Sequence, residues 1–105
     1  MTIQEIKDIL TAVDPDVQRY EHDRAGTGEA YTVWEEITPV GFYGDGQEQG
    51  TIHFQVDRFT KTEDEILAES IRRALEDRDN IAVDYRVDYE QDTGYIHHIF
   101  DCEGV

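Results

Sequence analysis

Residues 81–102, IAVDYRVDYEQDTGYIHHIFDC, give the clearest structural signal in this 105-residue chain. From 81 to 90, apolar residues at the odd positions alternate with alanine or charged residues at the even positions. A period of two predicts a strand with one buried face and one face in water. The turn-forming residues Gln91–Gly94 then predict a hairpin, and Tyr95–Cys102 is expected to return antiparallel.

Two capping boxes predict the helices. In residues 2–5, TIQE, the Thr2 hydroxyl can cap the first helical turn while Glu5 reaches back to the cap. In residues 62–65, TEDE, Thr62 and Glu65 stand in the same relation. Apolar residues follow each box at helical spacing. The predicted stripes are Ile3, Ile6, Leu10 and Val13 in the first helix, and Ile66, Leu67, Ile71, Ala74 and Leu75 in the second.

The rest of the chain predicts three more strands. β-Forming residues mark Tyr31–Thr38 and Thr51–Phe59, and Val17–His22 alternates more weakly. Between the two stronger strands, Pro39–Gly50 holds four glycines and predicts a loop. The order is therefore α-β-β-β-α-β-β. We expect one α+β domain over 1–105, a mainly antiparallel sheet with both helices packed on one face, and the pattern leaves the strand order open.

The composition is strongly acidic, with 25 acidic and 9 basic residues and a net charge of −16. Such a chain repels nucleic-acid phosphates and anionic membranes, so we expect neither sequence-specific nucleic-acid binding nor membrane binding. Cys102 is the single cysteine, which fits a reducing compartment. Because nothing near Met1 resembles a signal peptide, the predicted place of synthesis and assembly is the cytoplasm.

The sequence offers little catalytic or metal-binding chemistry. His97 and His98 are adjacent in a predicted strand, so their side chains should point to opposite faces and not ligate one ion. Paired carboxylates are common, but in so acidic a chain such pairs arise by chance. Cys102 has no activating basic neighbour in the sequence. We therefore predict no catalytic residue, no cofactor and no metal, and a protein that is not an enzyme.

Several apolar residues lie at predicted surface or loop positions, where a protein without a partner would not need them. Residues 31, 33 and 37 are assigned to the core face of their strand, which places the tryptophan at 34 on the outer face. The last strand is apolar on both sides, and the glycine-rich loop holds two aromatic residues. Aromatic residues are enriched at interfaces, although a second small cluster within the chain is the alternative. The candidate interface residues are Trp34, Phe42, Tyr43, Tyr95 and Ile99.

Four segments together carry a family resemblance: 31–36 YTVWEE, 52–59 IHFQVDRF, 68–75 AESIRRAL and 88–97 DYEQDTGYIH. Over nearly the whole chain this pattern resembles the small tail-completion (tail-terminator) proteins of long-tailed bacteriophages and prophages. The resemblance implies an α/β sandwich that assembles with itself into a ring, typically a hexamer. It also implies tail-tube and head–neck connector proteins as partners, and a place in the virion at the head–tail junction.

The same features leave two other functions open. A phage neck or head-closure protein has similar size and acidity but docks on the portal side. An acidic protein-binding module, such as an inhibitor that mimics DNA, would use the row of Asp84, Asp88 and Glu90 to imitate phosphates. This chain differs from the expected tail-completion pattern in its higher negative charge and its glycine-rich loop.

Overall fold

The structure is a computed structural model that describes residues 1–37, 51–62 and 65–105. The predicted loop Pro39–Gly50 lies outside the described residues. The order of elements is the expected α-β-β-β-α-β-β, which confirms an α+β fold. The elements are α1 (Ile3–Val13), β1 (Gln18–Arg19), β2 (Tyr31–Glu36), β3 (Ile52–Thr60), α2 (Ile66–Glu76), β4 (Ile81–Tyr89) and β5 (Ile96–Gly104).

The five strands form one sheet in the order β1-β2-β3-β5-β4. Only the short pair β1–β2 is parallel, and all other neighbours in the described sheet are antiparallel. The hairpin expected from residues 81–102 is confirmed: Ile81 pairs with Gly104 and Tyr89 with Ile96, without a bulge. Strand β4 therefore lies at one edge of the sheet, and β1 lies at the other.

Both helices pack on the same face of the sheet and bury most of their predicted apolar stripes against it. Ile66 is the exception: it is 84% exposed at the first position of α2, so its assignment to the buried stripe was wrong. Ile6 and Leu10 of α1, and Ile71 and Leu75 of α2, belong to one cluster with residues of four strands. Burying a side chain of this size contributes about 1.5–3 kcal/mol. The strand residues of the cluster are Trp34, Phe54, Val56, Ile81, Phe100 and Cys102.

The sequence predicted the start of α1 correctly and the start of α2 incorrectly. The capping box of α1 is present as expected, since the Thr2 hydroxyl accepts from the Glu5 amide and Glu5 accepts from the Thr2 amide. Helix α2, however, begins at Ile66 with Glu65 as its N-cap, so the prediction of Thr62 as the cap was wrong. The Glu65 carboxylate accepts from the Leu67 amide at 3.0 Å and is also engaged by Arg58, which fixes the start of the helix.

The predicted strand Val17–His22 is reduced to Gln18–Arg19. Tyr20 follows with φ of 75°, a left-handed conformation that a strand cannot continue through. Its amide still donates to the Trp34 carbonyl at 2.8 Å, and its hydroxyl donates to Glu36. The β1 edge of the sheet is therefore short and ends in a turn.

The face of the sheet without helices carries a second, aromatic cluster at one end. Tyr31 stacks on Phe59 with ring centroids 4.6 Å apart, and Tyr95 meets both rings edge-on at 5.8 Å. The Tyr95 hydroxyl donates to the Glu29 carbonyl and accepts from the Gly28 amide, which holds the preceding turn over the cluster. The helix-free face of the sheet is thus covered at this end.

Candidate functional site

The outer part of β4 exposes apolar side chains on the face that the helices cover elsewhere. Ile81, at the start of the strand, is 8% exposed, whereas Val87 is 48% and Tyr89 is 65% exposed. All three lie on the same face because they are separated by even numbers of residues. The expectation that this face of β4 is buried is therefore correct at its start and wrong at its end.

The cause is a difference in length between strand and helix. The nine residues of β4 extend about 30 Å, whereas the eleven residues of α2 extend about 16 Å. Helix α2 reaches as far as Tyr85, whose ring lies 4.7 Å from the Arg72 guanidinium carbon. Beyond Tyr85, the apolar residues of β4 continue without a helix above them among the described residues.

These residues line an open groove of about 440 Å³. We call this feature, together with the outer backbone edge of β4, which pairs with no described strand, the β4 edge surface. Its lining residues are Tyr85, Val87, Asp88, Tyr89, Ile96 and His98.

His98 forms the floor of the groove and is only 3% exposed. Its Nε2 lies 3.2 Å from the hydroxyl of Thr60, which donates its own proton to the Thr62 carbonyl. The Thr60 hydroxyl must therefore accept from His98, so Nε2 carries the proton and Nδ1 is an acceptor. The Tyr85 hydroxyl, 2.9 Å from Nδ1, then donates to it. This arrangement satisfies a neutral imidazole.

Burial favours the neutral forms of both groups in the floor. It lowers the pKa of His98 below the ordinary value, with nearby Arg58 acting in the same sense and Glu65 opposing it. Burial also raises the pKa of the Tyr85 hydroxyl. The Tyr85 ring packs in parallel on Phe100, with centroids 4.8 Å apart. The floor is thus rigid, uncharged and aromatic, which suits a contact surface for apolar groups.

The other face of β4 is charged and lies in water. Asp84, Arg86 and Asp88 are all exposed there. The Arg86 Nε lies 4.0 Å from the Asp88 carboxylate, so the one basic residue of the strand stands between two acids. The strand therefore presents an apolar row on one face and an acid–base–acid row on the other.

Trp34 does not lie where the sequence placed it. It is 2% exposed and belongs to the main core, with its ring edge-on to Phe54 at 6.5 Å and the Arg19 guanidinium 5.2 Å from its centroid. Its assignment to the outer face was wrong because Tyr31 and Val33 are the residues on the helix-free face. A side chain so buried is not available to a partner in this conformation.

The other candidate interface residues divide into two groups. Tyr95 and Ile99 are each 3% exposed, and both pack inside the chain on the helix-free face of the sheet. For Tyr95 this is the second cluster that the sequence left open as the alternative. Phe42 and Tyr43 lie outside the described residues. The structure therefore brings none of the described candidates to the surface. Among the exposed apolar side chains of the described residues, Val87 and Tyr89 are the two that lie side by side on one face of β4, and the sequence assigned both to the core.

His97 and Cys102, the other candidate chemical groups of β5, are held by the fold. His97 lies on the helix-free face, 2.7 Å from Asp57 and 3.4 Å from Glu90, which confirms that His97 and His98 point to opposite faces. Burial raises the pKa of the Cys102 thiol to about 12, which makes this thiol unreactive at neutral pH. Within the described ranges, no three His, Cys, Asp or Glu side chains converge closely enough to hold a metal ion.

No protein-family model matches the sequence, and a search of curated proteins finds no match. Neither α1 nor α2, the helices of the described chain, has the length and apolar character needed to cross a membrane.

Proposed function

We propose that the chain is a structural assembly subunit that binds other protein subunits, of the tail-completion type that its sequence resembles. One observation carries the proposal: the β4 edge surface combines exposed apolar side chains with a strand edge that no strand of the described ranges pairs with. A contiguous apolar surface of this kind marks protein interaction sites, and aromatic residues are enriched in them. The neutral floor formed by His98 and Tyr85 can be covered by a partner without leaving a charge buried.

In this role the subunit joins copies of itself at the end of a tail tube, between the tube and the head–neck connector. The net charge of −16 supports the same role, because an acidic wall does not adhere to DNA that passes along it. The protein then acts by its shape and its contacts, without catalysis or a cofactor, and its final place is the virion.

Tail-tube capping tests the proposal. Tail-tube protein is polymerised with and without the chain, and tube lengths and tube ends are compared by electron microscopy. We expect the wild-type chain to shorten the tubes and to add density at one end. The double variant Val87→Thr/Tyr89→Thr should lose this effect, because it removes apolar area while retaining β-forming residues.

Val105→Thr is the matched control, since Val105 is 61% exposed but lies outside β4. It should cap as the wild type does. Tubes that are unaffected by the wild-type chain would contradict the tail-completion role. Capping by the double variant would show that another surface makes the contact.

The two alternative functions, a neck or head-closure protein and a DNA-mimicking inhibitor, can be distinguished from the tail-completion role. A neck or head-closure protein would bind portal complexes and leave tube ends unchanged. A DNA-mimicking inhibitor needs an uninterrupted row of acids, whereas Arg86 lies between Asp84 and Asp88 and pairs with the latter. This interruption favours an assembly subunit over a mimic.

A further inference from the structure

The backbone of β4 forms one edge of the described sheet. All nine residues pair with β5 in continuous register, and no described strand pairs with the other side. Natural proteins protect such edges with proline, charged side chains (above all lysine), bulges or very short strands. Residues 81–89, IAVDYRVDY, contain neither proline nor lysine, and the described strand has no bulge. The charged residues of this edge, Asp84, Arg86 and Asp88, are of both signs, so a partner strand can meet them with opposite charges. An edge of this length is available for pairing with a further strand.

A second copy of the chain can supply that strand through a two-fold axis perpendicular to the sheet. In such an antiparallel pair, the residue on the axis lies opposite the same residue of the second copy. The side chains of two residues directly opposite each other point to the same face of the sheet. Pairing of the whole strand requires its middle residue, Tyr85, to lie on the axis. Every other axis position leaves residues of β4 unpaired.

The charges on the helix-free face select the same register. With Tyr85 on the axis, Arg86 lies opposite Asp84 of the second copy, and the reciprocal pair forms as well. Opposite charges directly across two strands are favourable, and like charges are unfavourable. Moving the axis to Arg86 places this arginine opposite itself and Asp84 opposite Asp88. Moving it to Asp84 places that carboxylate opposite itself.

The apolar face gains its missing cover in this register. Val87 lies opposite Val83 of the second copy, and Tyr89 lies opposite Ile81. Val83 and Ile81 pack under the helices of their own subunit, so the exposed side chains extend an existing core. Arg72, which lies over the Tyr85 ring near the axis, is paired with Glu76 at 3.1 Å, so its charge is already matched within each subunit.

We infer that the outer edge of β4 pairs with the same edge of a second copy, antiparallel and with Tyr85 on the two-fold axis. Five strands from each copy then form one continuous ten-stranded sheet. The inference rests on the premise of the proposed function that the chain assembles, and it names the partner and the register. Because a two-fold contact closes at two copies, a ring would be built from such pairs through a second contact.

A charge swap tests the register. Asp84→Arg places two arginines opposite each other, and Arg86→Asp places two aspartates opposite each other, so each should weaken dimerisation about tenfold. The double variant Asp84→Arg/Arg86→Asp exchanges the two charges and keeps the net charge, and should restore the wild-type dissociation constant. Sedimentation equilibrium provides the constants, and circular dichroism verifies that each variant is folded.

Two controls separate the local effect from net charge. Glu103→Arg and Arg78→Asp make the same changes in charge at exposed positions outside β4. They should leave the dissociation constant within about threefold of the wild type.

A wild-type chain that stays monomeric at about 1 mM would overturn the inference. So would a swapped double variant that fails to dimerise, because the register would then be a different one. The tail-tube experiment is independent of these outcomes. A chain that is monomeric in solution but still caps tubes retains the proposed role at the tube end and loses the inference, whereas a dimer that leaves tubes unchanged does the reverse.

Discussion

The single buried group His98 makes the stability of the groove floor depend on pH. Its neutral imidazole is held between the hydroxyls of Thr60 and Tyr85, with the proton on Nε2. A protonated ring would carry a charge into a site where burial opposes it. The floor of the β4 edge surface is therefore most stable when the pH lies above the ordinary pKa of histidine.

We expect acid to destabilise the wild-type chain more than the variant His98→Gln. The folded-state pKa of His98 is lowered from 6.5, so the unfolded chain binds the extra proton as the pH falls through that value. The stability contributed by the neutral ring is complete above 6.5 and is lost below it. Melting temperatures measured between about pH 7.5 and 5 should fall more steeply for the wild type. Equal slopes for the two proteins would show that His98 is not responsible.

Trp34 shows why the face of the sheet to which a side chain points was hard to predict. A one-residue change of assignment moves every side chain of a strand to the opposite face. In β2 the alternation is obscured, because Thr32 and Trp34 are buried under the helices while Tyr31 is buried in the aromatic cluster on the other face. When both faces of a strand are covered, the pattern of polar and apolar residues no longer identifies the core face.

At the scale of elements, the N-terminus of α2 is tied to the sheet by charge. Arg58 is 7% exposed, and it donates to the Glu65 carboxylate at 3.1 Å and to the Thr32 hydroxyl at 3.2 Å. Asp14, which ends α1, lies 3.9 Å away. Among the described residues the Arg58 Nε has no hydrogen-bond partner, so this buried cation depends on the few acceptors that it has.

The two helix caps should therefore differ in their effect on stability. Thr2→Ala removes an exposed capping box and should cost about 1 kcal/mol of unfolding free energy. Glu65→Ala removes a cap and one partner of a buried arginine, and should cost about 3 kcal/mol. Urea denaturation of the two variants measures both values. Similar losses would indicate that Arg58 is satisfied without Glu65.

The elements themselves were predictable where one physical signal dominated. The β4–β5 hairpin, the start of α1 and the number of strands follow from alternation, capping residues and turns. The start of α2 did not, because Thr62–Glu65 satisfies the capping-box pattern while the Glu65 side chain is engaged by Arg58 of the preceding strand, β3. The strand order could not be predicted, since it depends on contacts between residues far apart in sequence.

At the scale of the whole molecule, the candidate site was missed although a signal for it was present. The alternation of β4 assigned Val87 and Tyr89 to the core, and this is the correct face of the sheet. Exposure follows from length, because a helix of eleven residues cannot cover a strand of nine. Comparing predicted element lengths, and not only their periodicities, would have identified the β4 edge surface.

Added salt should strengthen self-association. Each copy carries −16, so association brings together two strongly acidic bodies. The Debye length falls from about 10 Å at 0.1 M salt to about 3 Å at 1 M, which screens this repulsion. The exposed Arg86–Asp84 pairs are also screened, but such pairs contribute only about 0–1 kcal/mol each. Light scattering across this range of NaCl measures the balance, and dissociation on adding salt would mean that the opposite charges dominate.

The shortness of β1 limits what this sheet can build. Its edge offers two residues before Tyr20 turns the chain away with φ of 75°. In the terms of polymer chemistry, the described sheet is a monofunctional unit: its long β4 edge can pair with another strand, and its short β1 edge cannot. Pairing two such units uses the β4 edges of both copies, so the sheet stops growing at the pair. A chain that is rich in strands and has an open edge can in this way associate through its backbone without forming fibres.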